Sequence, residues 1–527
     1  MLDALAFELD RGSAVALHRQ LQERMRAEIL SGALRPGTRL PSSRALSQSL
    51  GVARNTVLNA FEQLASDGFL EGLHGSGTYV ARNLPLDMAE ILRPTSGASY
   101  PADAHAIGAT RAMSFLEVPV SFRIAQRPVP FRMNYPAIDA FPVRLWATLT
   151  ARLYRRLAAD PRRELLGEGD AQGYLPLRQA IADHAALARG VRCTADNIIV
   201  FAGAQQALDV AVRVLLDVGD EAWLEDPSYP GARSALAAAG AQVRPVPVDA
   251  QGLVVAEGER CSPRARLVYV CPSKQFPLGV TMSLSRRFQL LDWANRSGAW
   301  IIEDDYDSEY RFDGRPVAAL QGLDRGGRVI YLGTFSKVIF PSLRLGFAIV
   351  PDALVDAFIG GRAIAGRHSP VLEQALLAAF MREGHFARHV RRMRKLYIER
   401  QAALLDTVHR HLGDTLAIRP TEAGLQLVAW LPHHLDDAKI ARAGAAAGLE
   451  LAPLSRFAIT RPLPPGLLLG FGAFSREQID EGVRRLRNVL RGAGLSAALA
   501  REARSPASSR SHVHRSGAGG ARRVRAA

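Results

Sequence analysis

The chain has 527 residues, 48% of them hydrophobic and 22% charged, and it carries a formal net charge of +15. This length predicts about three domains, and this composition excludes a fibrous chain and one that is disordered throughout. Apolar runs stay below the roughly 18 residues of a membrane-spanning helix, the N-terminus has no basic leader, and the three scattered cysteines form no CxxC pair. We therefore expect a cytoplasmic protein with no membrane partner, no disulfide framework and no metal site.

The first 83 residues follow a helix-turn-helix pattern. Apolar residues between Leu17 and Leu30 recur at helical spacing, which predicts a first helix that stops at Ser31. A helix from about Ser43 to Leu50, a turn at Gly51 and a helix from about Arg54 to Ala65 are predicted next. A short helix, a glycine turn and a longer helix are the outline of a helix-turn-helix unit.

A two-stranded wing follows the second helix of this unit. The strands are predicted at Phe69–Glu71 and Thr78–Val80, with a turn from Gly72 to Gly77 that carries His74. No acidic residue occurs between Glu28 and Glu62, where the four basic residues are Arg35, Arg39, Arg44 and Arg54. These arginines would lie against DNA phosphates if Arg54 and Asn55 begin a recognition helix. A small protein-interaction domain with solvated arginines is the alternative.

The stretch RPGTRLPSSRALSQSLGVARNTVLNAFEQLASDGFL, followed by GSGTYV, resembles the winged-helix domain of GntR-type bacterial regulators. The resemblance implies that double-stranded promoter DNA is a partner. Together with the recognition-helix and wing positions above, it gives these candidate DNA contacts: Arg39, Arg44, Arg54, Asn55, Thr56, His74, Gly75 and Gly77. Ala53 stands where many relatives have Ser, a helix cap whose loss costs about 1 kcal/mol, and Asn55 or Thr56 would have to compensate.

Two segments show no sustained periodicity. Residues 84–130 are rich in Pro, Ala and Ser and are predicted to be a linker, long enough for the small domain to sit far from its own large domain or to swap onto a partner subunit. Residues 493–527 are mostly Ala, Ser, Gly and Arg and are predicted to be a disordered basic tail. From Arg501 onward the tail has 7 Arg and 1 acid, a net +6 of the chain's +15, so global charge is a weak argument for DNA binding.

Residues 131–492 are predicted to be one large α/β domain, because β-rich runs alternate with helical patterns. Such alternation indicates a mostly parallel sheet with helices on both faces and with ligands at the carboxyl ends of the strands. The predicted strands are 197–201, 222–225, 266–271, 299–303, 328–332 and 344–350.

Lys337 is the first candidate for chemistry. Only four of the 66 basic residues are lysines, so a retained lysine points to amine chemistry that a guanidinium cannot perform. Thr334, Ser336 and Arg344 lie beside Lys337 in YLGTFSKVIFPSLRLGF and suit a phosphorylated aldehyde. A surface lysine on a Ser/Thr-rich loop is the alternative.

Other motifs follow predicted strands. Gly203 opens a helix whose backbone N–H groups would hold a phosphate, and Tyr229 follows the second strand, where it could stack on a pyridine ring. The acids of Glu303–Asp307 require a cationic partner when buried, and a protonated pyridine nitrogen is one. A metal-binding acid cluster or a solvated turn is the alternative for this segment.

These motifs together resemble fold-type I aminotransferases and, more closely, the MocR-type subfamily of GntR regulators. The segments that carry the resemblance over about residues 131–490 are GEGDAQGYLPLRQAIADH, GAQQALD, EDPSYPGAR, CPSKQFPLGVTM, EDDYDSEYRF, GTFSKVIFPSLRLGF and LLLGFGAF. The resemblance implies a multidomain fold, with a mainly α winged helix-turn-helix followed by an α/β pyridoxal-phosphate-dependent transferase domain of fold type I.

The resemblance also implies roles at the cofactor, pyridoxal 5′-phosphate (PLP). Lys337 would form the internal aldimine, Asp304 would pair with the pyridine nitrogen, Tyr306 would bond the ring hydroxyl and Tyr229 would stack on the ring. The phosphate would be held by Arg344, Ser336, Ala204 and Gln205. Arg456 corresponds to the family's arginine for an effector carboxylate.

Two positions depart from the family pattern. Lys274 stands where relatives often have His, and this second rare lysine is a candidate effector contact. Asn134 stands where many relatives have Gly, at the predicted ligand entrance.

The sequence therefore predicts a PLP-dependent, DNA-binding transcriptional regulator that senses an amino compound, or PLP itself, through an aldimine on Lys337. The resemblance implies a homodimer that reads two DNA half-sites. Two alternatives remain: a working aminotransferase that carries a DNA-binding domain, and a regulator whose large domain is only a dimerisation scaffold.

Overall fold

The chain divides into two compact units, Met1–Ala106 and Ile107–Ala527. The computed structural model describes residues 9–73, 77–82, 127–312, 318–413 and 416–493. Most of the predicted linker and of the predicted tail, together with His74 and Gly75, lies outside the described residues. Within the described ranges no helix combines the length and the apolar character needed to cross a membrane.

The first unit contains three helices, α1 (Leu17–Leu30), α2 (Ser43–Leu50) and α3 (Arg54–Ser66). The apolar stripe of α1 is buried with that of α3 in one small core. The Oγ of Ser42 accepts a hydrogen bond from the Ala45 N–H and caps α2, which ends at Gly51 in the left-handed conformation. The helix-turn-helix prediction is confirmed at the level of these elements.

Two details of this unit differ from the prediction. The N-cap residue of α3, Ala53, makes no side-chain cap, and neither Asn55 nor Thr56 takes over that role. The wing strands β1 (Leu70–Leu73) and β2 (Gly77–Val80) are antiparallel and pair Gly72 with Thr78, so the turn is shorter than expected. The two strands pair further toward the turn than predicted, because Gly72 and Gly77 can adopt strand as well as turn conformations.

An eight-stranded sheet forms the centre of the second unit, in the order β3-β10-β9-β8-β7-β4-β5-β6. Its strands are β3 (Ile198–Phe201), β4 (Glu221–Asp226), β5 (Gln242–Asp249), β6 (Gly252–Leu253), β7 (Leu267–Val270), β8 (Trp300–Asp305), β9 (Val329–Thr334) and β10 (Gly346–Ile349). Strands β9, β8, β7, β4 and β5 are parallel, whereas β10 is antiparallel to both its neighbours. The mostly parallel sheet is confirmed, although β5 and β6 were not predicted.

Helices cover both faces of this sheet. They are α4 (Val143–Ala159), α5 (Leu175–Arg189), α6 (Ala204–Leu215), α7 (Pro230–Ala238), α8 (Val255–Cys261), α9 (Leu284–Ser297), α10 (Leu320–Leu323), α11 (Val355–Gly366) and α12 (Val371–Arg382). On one face Trp223 of β4 stacks on Trp293 of α9, with ring centroids 3.7 Å apart. Because alternate residues of each strand point to opposite faces, buried parallel strands supply a core to both layers of helices.

The C-terminal part builds a second, antiparallel sheet that the sequence did not predict. Its strands lie in the order β11 (Ala417–Ile418), β12 (Gln426–Trp430), β14 (Gly466–Gly470) and β13 (Ala452–Pro453). Helices α13 (His385–Leu412), α14 (Asp437–Ala446) and α15 (Arg476–Gly492) accompany this sheet. Phe131 bridges to Gly470, so residues at the start of the large domain lie against β14.

Candidate functional site

Lys337 follows β9, in the turn before a short 3₁₀ helix at Pro341–Leu343. Its neighbours Phe335, Val338 and Ile339 are buried, and the lysine itself is partly buried. Removal of the amine from water lowers the pKa of Lys337 to about 8, a shift that nearby Asp307 opposes and Arg132 and Arg344 reinforce. A sizeable fraction of the amine is therefore neutral near physiological pH and able to attack an aldehyde.

Asp304 lies at the carboxyl end of β8 and is 7% exposed. The Tyr269 hydroxyl donates a hydrogen bond of 2.5 Å to its Oδ2, and Oδ1 has no hydrogen-bond partner among the described residues. Burial raises the pKa of Asp304 to about 6. A buried carboxylate with one unmatched oxygen requires a cationic or protonated partner.

The other acids of this segment have protein partners. Glu303 accepts the backbone N–H groups of Leu320 and Gln321. Asp305 accepts a hydrogen bond of 2.7 Å from the Arg189 guanidinium and one of 2.7 Å from the Tyr331 hydroxyl. These contacts make the two carboxylates structural, which argues against the alternative of a metal-binding cluster or a solvated turn.

Asp307 is paired with Lys274. The lysine Nζ lies 3.1 Å from Asp307 Oδ2, and the two side chains are 5% and 1% exposed. A Cβ on Gly424 would lie 1.8 Å from that Nζ, so only glycine fits against the pair. Tyr306 donates its hydroxyl to the Lys274 carbonyl at 3.2 Å. Lys274 thus lies beside the predicted cofactor residues with its charge already matched.

Arg344 lies beside the start of α6. A Cβ on Gly203 would be 3.3 Å from the Arg344 guanidinium, and one on Gly346 would be 2.8 Å from the Ala204 nitrogen. Two glycines therefore let the guanidinium and the helix N-terminus approach each other, an arrangement that suits an anion. Arg344 was predicted in a strand, but it has a left-handed backbone, with φ of 49°, between the 3₁₀ helix and β10.

Three further predicted residues lie near these groups. Ser336 is buried, and its N–H donates to Thr334 Oγ1 at 3.2 Å. The Tyr229 hydroxyl donates to Gln205 Oε1 at 3.1 Å, which brings the ring-stacking candidate and a phosphate candidate together. Phe276 packs edge-on against Tyr229, with ring centroids 6.0 Å apart.

Arg456 is exposed on a 3₁₀ helix at Leu454–Phe457. Buried carboxylates hold the loop on both sides of it. Asp437 accepts from the Ser455 N–H and hydroxyl, while Asp226 at the end of β4 accepts from the Ile459 and Thr460 N–H groups. The contact with Asp226 ties this loop to the end of β4 in the eight-stranded sheet.

Sequence reasoning missed two residues near the site, Arg132 and Tyr269, and named a third, Asn134, without its conformation. Arg132 lies close enough for its charge to lower the pKa of Lys337, and Tyr269 orients Asp304. Asn134 has φ of 55°, a left-handed conformation that Gly adopts freely and that Asn tolerates better than most residues. The Gly-to-Asn departure was the visible signal for this conformation, whereas only folding brings Arg132 and Tyr269 to the site.

In the first unit, the structure brings candidate DNA contacts together in pairs. A Cβ on Gly77 would be 3.3 Å from Arg39 Nε, so this arginine lies against the wing. Arg54 donates to Ser43 Oγ at 3.2 Å, next to Arg44. These arginines and Asn55 are exposed, and Thr56 is partly so. The Arg11 guanidinium, which the sequence analysis did not nominate, donates to the Gly51 carbonyl at 2.7 Å.

Comparison with known families accounts for both units. Residues 144–486 match the family "Aminotransferase class I and II", and residues 17–80 match "Bacterial regulatory proteins, gntR family". The probable rhizopine catabolism regulatory protein MocR of Rhizobium meliloti is 43% identical over 93% of this chain and 97% of its own length. The chain belongs to the MocR-type GntR regulators.

Other similar proteins support both parts of this MocR-type regulator. The pyridoxine biosynthesis transcriptional regulator PdxR of Corynebacterium glutamicum is 32% identical over 91% of this chain and 97% of its own. Among solved structures, LysN, an α-aminoadipate aminotransferase of Thermus thermophilus, is 29% identical and has a TM-score of 0.67 over 75% of this chain and 99% of its own. That structure contains N-(5′-phosphopyridoxyl)-L-leucine.

The cofactor of this kind of domain is pyridoxal phosphate, and the residues present fit it. The unmatched oxygen of Asp304 suits a protonated ring nitrogen, and the Arg344 guanidinium beside the start of α6 suits a phosphate. The first unit of a GntR regulator binds DNA, so the chain combines a DNA-binding unit with a cofactor-binding unit.

Proposed function

We propose that the large domain is a sensor, in which an amino compound or pyridoxal phosphate itself acts at Lys337 and changes DNA binding by the first unit. One observation carries the proposal: a lysine amine with a pKa of about 8 lies near the unmatched carboxylate of Asp304 in a chain that begins with a GntR-type unit. Relatives named as regulators of rhizopine catabolism and of pyridoxine biosynthesis support it.

Pyridoxal phosphate, when bound, supplies an aldehyde that condenses reversibly with amines. Lys337 would be its covalent partner, because part of its amine is already neutral. The Asp304 carboxylate would accept a hydrogen bond from the protonated ring nitrogen. Burial raises the pKa of Asp304 to about 6, and this pKa would fall once a cation shares the site. Tyr229 would cover one ring face and Tyr306 would contact the ring hydroxyl.

The phosphate would be held where the guanidinium of Arg344 meets the start of α6. Ala204 and Gln205 would offer N–H groups from the first turn of that helix, and Ser336 would add a hydroxyl. The left-handed backbone of Arg344 costs free energy, of the order of 1 kcal/mol for a non-glycine residue, and such strain is typical of ligand-binding positions.

An effector amine would compete with Lys337 for the cofactor. Arg456 is our candidate for binding an acidic group of that effector, since it is exposed on a loop that Asp226 ties to the eight-stranded sheet. Lys274 would reach an effector only by leaving Asp307, and we therefore expect it to act by fixing Asp307 in place.

Regulation requires that the effector bind two arrangements of the protein with different affinity, because a ligand with equal affinity for both shifts nothing. We propose a homodimer in which two winged helices read two half-sites, as symmetric regulators do. The effector would change the fraction of dimers in which both winged helices fit their half-sites.

The test is the visible absorbance of the purified protein with pyridoxal phosphate, before and after addition of a panel of amines and amino acids. We expect a cofactor band that is absent in Lys337→Ala and that one compound shifts persistently. The Lys395→Ala variant, at an exposed lysine, is the control and should keep the band.

Two further measurements, of product formation and of DNA binding, separate the alternatives. Sustained product from an added amino acid and keto acid would favour a working aminotransferase. A Lys337→Ala protein whose DNA binding still responds to the effector would favour a large domain that is only a scaffold. The absence of any band would contradict the cofactor assignment.

A further inference from the structure

The turn that carries Lys337 is closed by its own backbone hydrogen bonds. The Phe335 carbonyl accepts the N–H groups of Val338 and Ile339, at 3.2 and 2.8 Å. The Phe335 N–H donates to the Leu345 carbonyl at 3.1 Å, which ties the start of the turn to the residue before β10. These bonds use the N–H of Val338 but not its carbonyl, which follows the lysine along the chain.

Two buried side chains donate to the Val338 carbonyl. The Tyr310 hydroxyl lies 3.0 Å from this oxygen and the His389 Nε2 lies 2.9 Å from it. The tyrosine is 0% exposed and the histidine is 4% exposed. Since a backbone carbonyl has two lone pairs, the two donors saturate this acceptor. The residue after Lys337 is therefore held by groups from outside its own turn.

His389 can make this bond in only one form. A carbonyl oxygen only accepts, so Nε2 carries the proton, and Nδ1 has no hydrogen-bond partner among the described residues. Burial lowers the pKa of His389 to about 4, which keeps the ring neutral at physiological pH. The rings of Phe141 and Phe380 pack around the imidazole, with centroids 5.6 and 6.4 Å away. The imidazole is thus a neutral donor with a fixed direction.

The two donors come from different elements that meet at this turn. Tyr310 lies in a short 3₁₀ helix that follows β8, whereas His389 lies in α13. Phe386, one helical turn before His389, packs edge-on against Phe335, with ring centroids 6.1 Å apart. The Tyr310 ring packs edge-on against Tyr397 of α13 at 4.7 Å. Helix α13 therefore contacts the lysine turn directly and also supports the second donor.

We propose that Tyr310 and His389 are positioning residues for Lys337, which hold its backbone through the Val338 carbonyl so that its amine meets the aldehyde of the cofactor. The inference rests on the role of Lys337 proposed above and adds two residues to it. A lysine amine stands at the end of a flexible four-carbon chain. The position of the backbone therefore decides whether the amine reaches the geometry of attack, and a misplacement of about 1 Å can cost on the order of 100-fold.

The test compares two ligands on the full-length protein after removal of any bound cofactor. Pyridoxal 5′-phosphate carries an aldehyde, whereas pyridoxine 5′-phosphate has the same ring and phosphate but an alcohol that cannot condense with an amine. Isothermal titration calorimetry gives both dissociation constants, and the ratio of the alcohol's constant to the aldehyde's measures what Lys337 contributes. A disturbed fold or phosphate site weakens both ligands alike and does not move the ratio, whereas a misplaced lysine lowers it.

The variants change one donor at a time. Tyr310→Phe removes only the hydroxyl and keeps the ring against Tyr397. His389→Met removes the N–H, whereas His389→Gln, with a side chain of the same length as Met, brings an amide N–H to the place of Nε2. Tyr154→Phe, at an exposed tyrosine of α4, is the control, and Lys337→Ala gives the ratio without a covalent contribution.

We expect Tyr310→Phe and His389→Met each to lower the ratio about fivefold, the effect of one hydrogen bond. The double variant should lower it by at least the product, about 25-fold, because no side-chain donor then remains on the carbonyl. His389→Gln and the control should keep the wild-type ratio, and Lys337→Ala should bring it close to 1. The two positions are tested separately, so one of them decides the outcome if a variant at the other does not fold.

Two results would overturn the inference. If the donor-removing variants bind pyridoxine phosphate and keep the wild-type ratio, Tyr310 and His389 only support the fold, and the role of Lys337 stands without them. If the wild-type ratio is itself close to 1, as in Lys337→Ala, the proposed role of Lys337 fails and this inference fails with it.

Discussion

At the scale of single residues, the site works by placing groups where their charge is unfavourable. Lys337 is partly buried in apolar surroundings and Asp304 lies deep at a strand end with one oxygen unmatched. Burial moves the two pKa values toward each other, to about 8 for the amine and about 6 for the carboxyl. Pairs of titratable groups with such displaced pKa values are typical of sites that handle protons or form covalent bonds.

The pKa of Lys337 predicts how cofactor capture depends on pH. Because only the neutral amine attacks an aldehyde, the rate at which the cofactor band develops should rise with pH and reach half its maximum near pH 8. Mixing protein and pyridoxal phosphate between about pH 6 and 10 and following the absorbance measures this rate. With Nα-acetyl-lysine amide in place of the protein, the rate should rise only near the ordinary pKa of a lysine amine. A midpoint above pH 10 for the protein would contradict the prediction.

The same shift has a consequence for stability. The folded pKa of Lys337 lies below the ordinary 10.5, so the unfolded chain binds more protons between about pH 8 and 10.5. The burial penalty of this amine is therefore present in full below pH 8 and disappears as the pH rises through that window.

At the scale of elements, helix α3 is the predicted recognition helix, and its first turn is uncapped. Ala53 has the extended backbone of an N-cap, with φ of −62° and ψ of 141°, but no side chain that can accept a hydrogen bond. Helix α2 in the same unit is capped by Ser42. The two neighbouring helices thus differ in one hydrogen bond at their N-termini.

Ala53→Ser should stabilise the first unit by about 1 kcal/mol, because the new hydroxyl can accept one of the free N–H groups of α3. The measurement is thermal unfolding of the full-length protein, with attention to the transition of the first unit. Ala45→Ser, in the already capped first turn of α2, is the matched control and should bring no gain. Equal effects of the two changes would show that capping is not the reason.

At the scale of the whole molecule, the chain joins two units with separate chemistry. The first unit carries Arg39, Arg44 and Arg54, all exposed, while the candidate cofactor residues belong to the second unit. The proposed regulation connects them through the effector, so the two binding functions should be separable by mutation.

Arg54→Ala should weaken DNA binding and leave the cofactor spectrum unchanged, since this arginine begins α3 and contacts Ser43 of the first unit. If Arg54 contacts a phosphate, the magnitude of the slope of log affinity against log salt concentration should fall by about 1 for each half-site, and so by about 2 for the proposed homodimer. Fluorescence anisotropy with operator DNA at several salt concentrations measures both effects. Arg19→Ala on α1 is the control, and a parallel loss of the cofactor band would contradict separate roles for the units.

The sequence by itself determined what depends on local pattern. Helical spacing and glycine turns predicted α1, α2 and α3 nearly to the residue, and alternation of strands and helices predicted the parallel sheet. The scarcity of lysine singled out Lys337, because the choice of amine over guanidinium is a chemical choice visible in one letter.

Only the tertiary structure decided how charges are matched. The acids of Glu303–Asp307 look alike in sequence, yet folding gives three of them protein partners and leaves an oxygen of Asp304 unmatched. Arg132 and Glu450 are far apart along the chain, and they meet because Phe131 bridges to Gly470 of β14 and the Glu450 N–H donates to the Pro130 carbonyl. Such pairs arise from long-range packing, which adjacent residues do not encode, so these contacts, unlike the candidate lysine Lys337, were not predictable from the sequence.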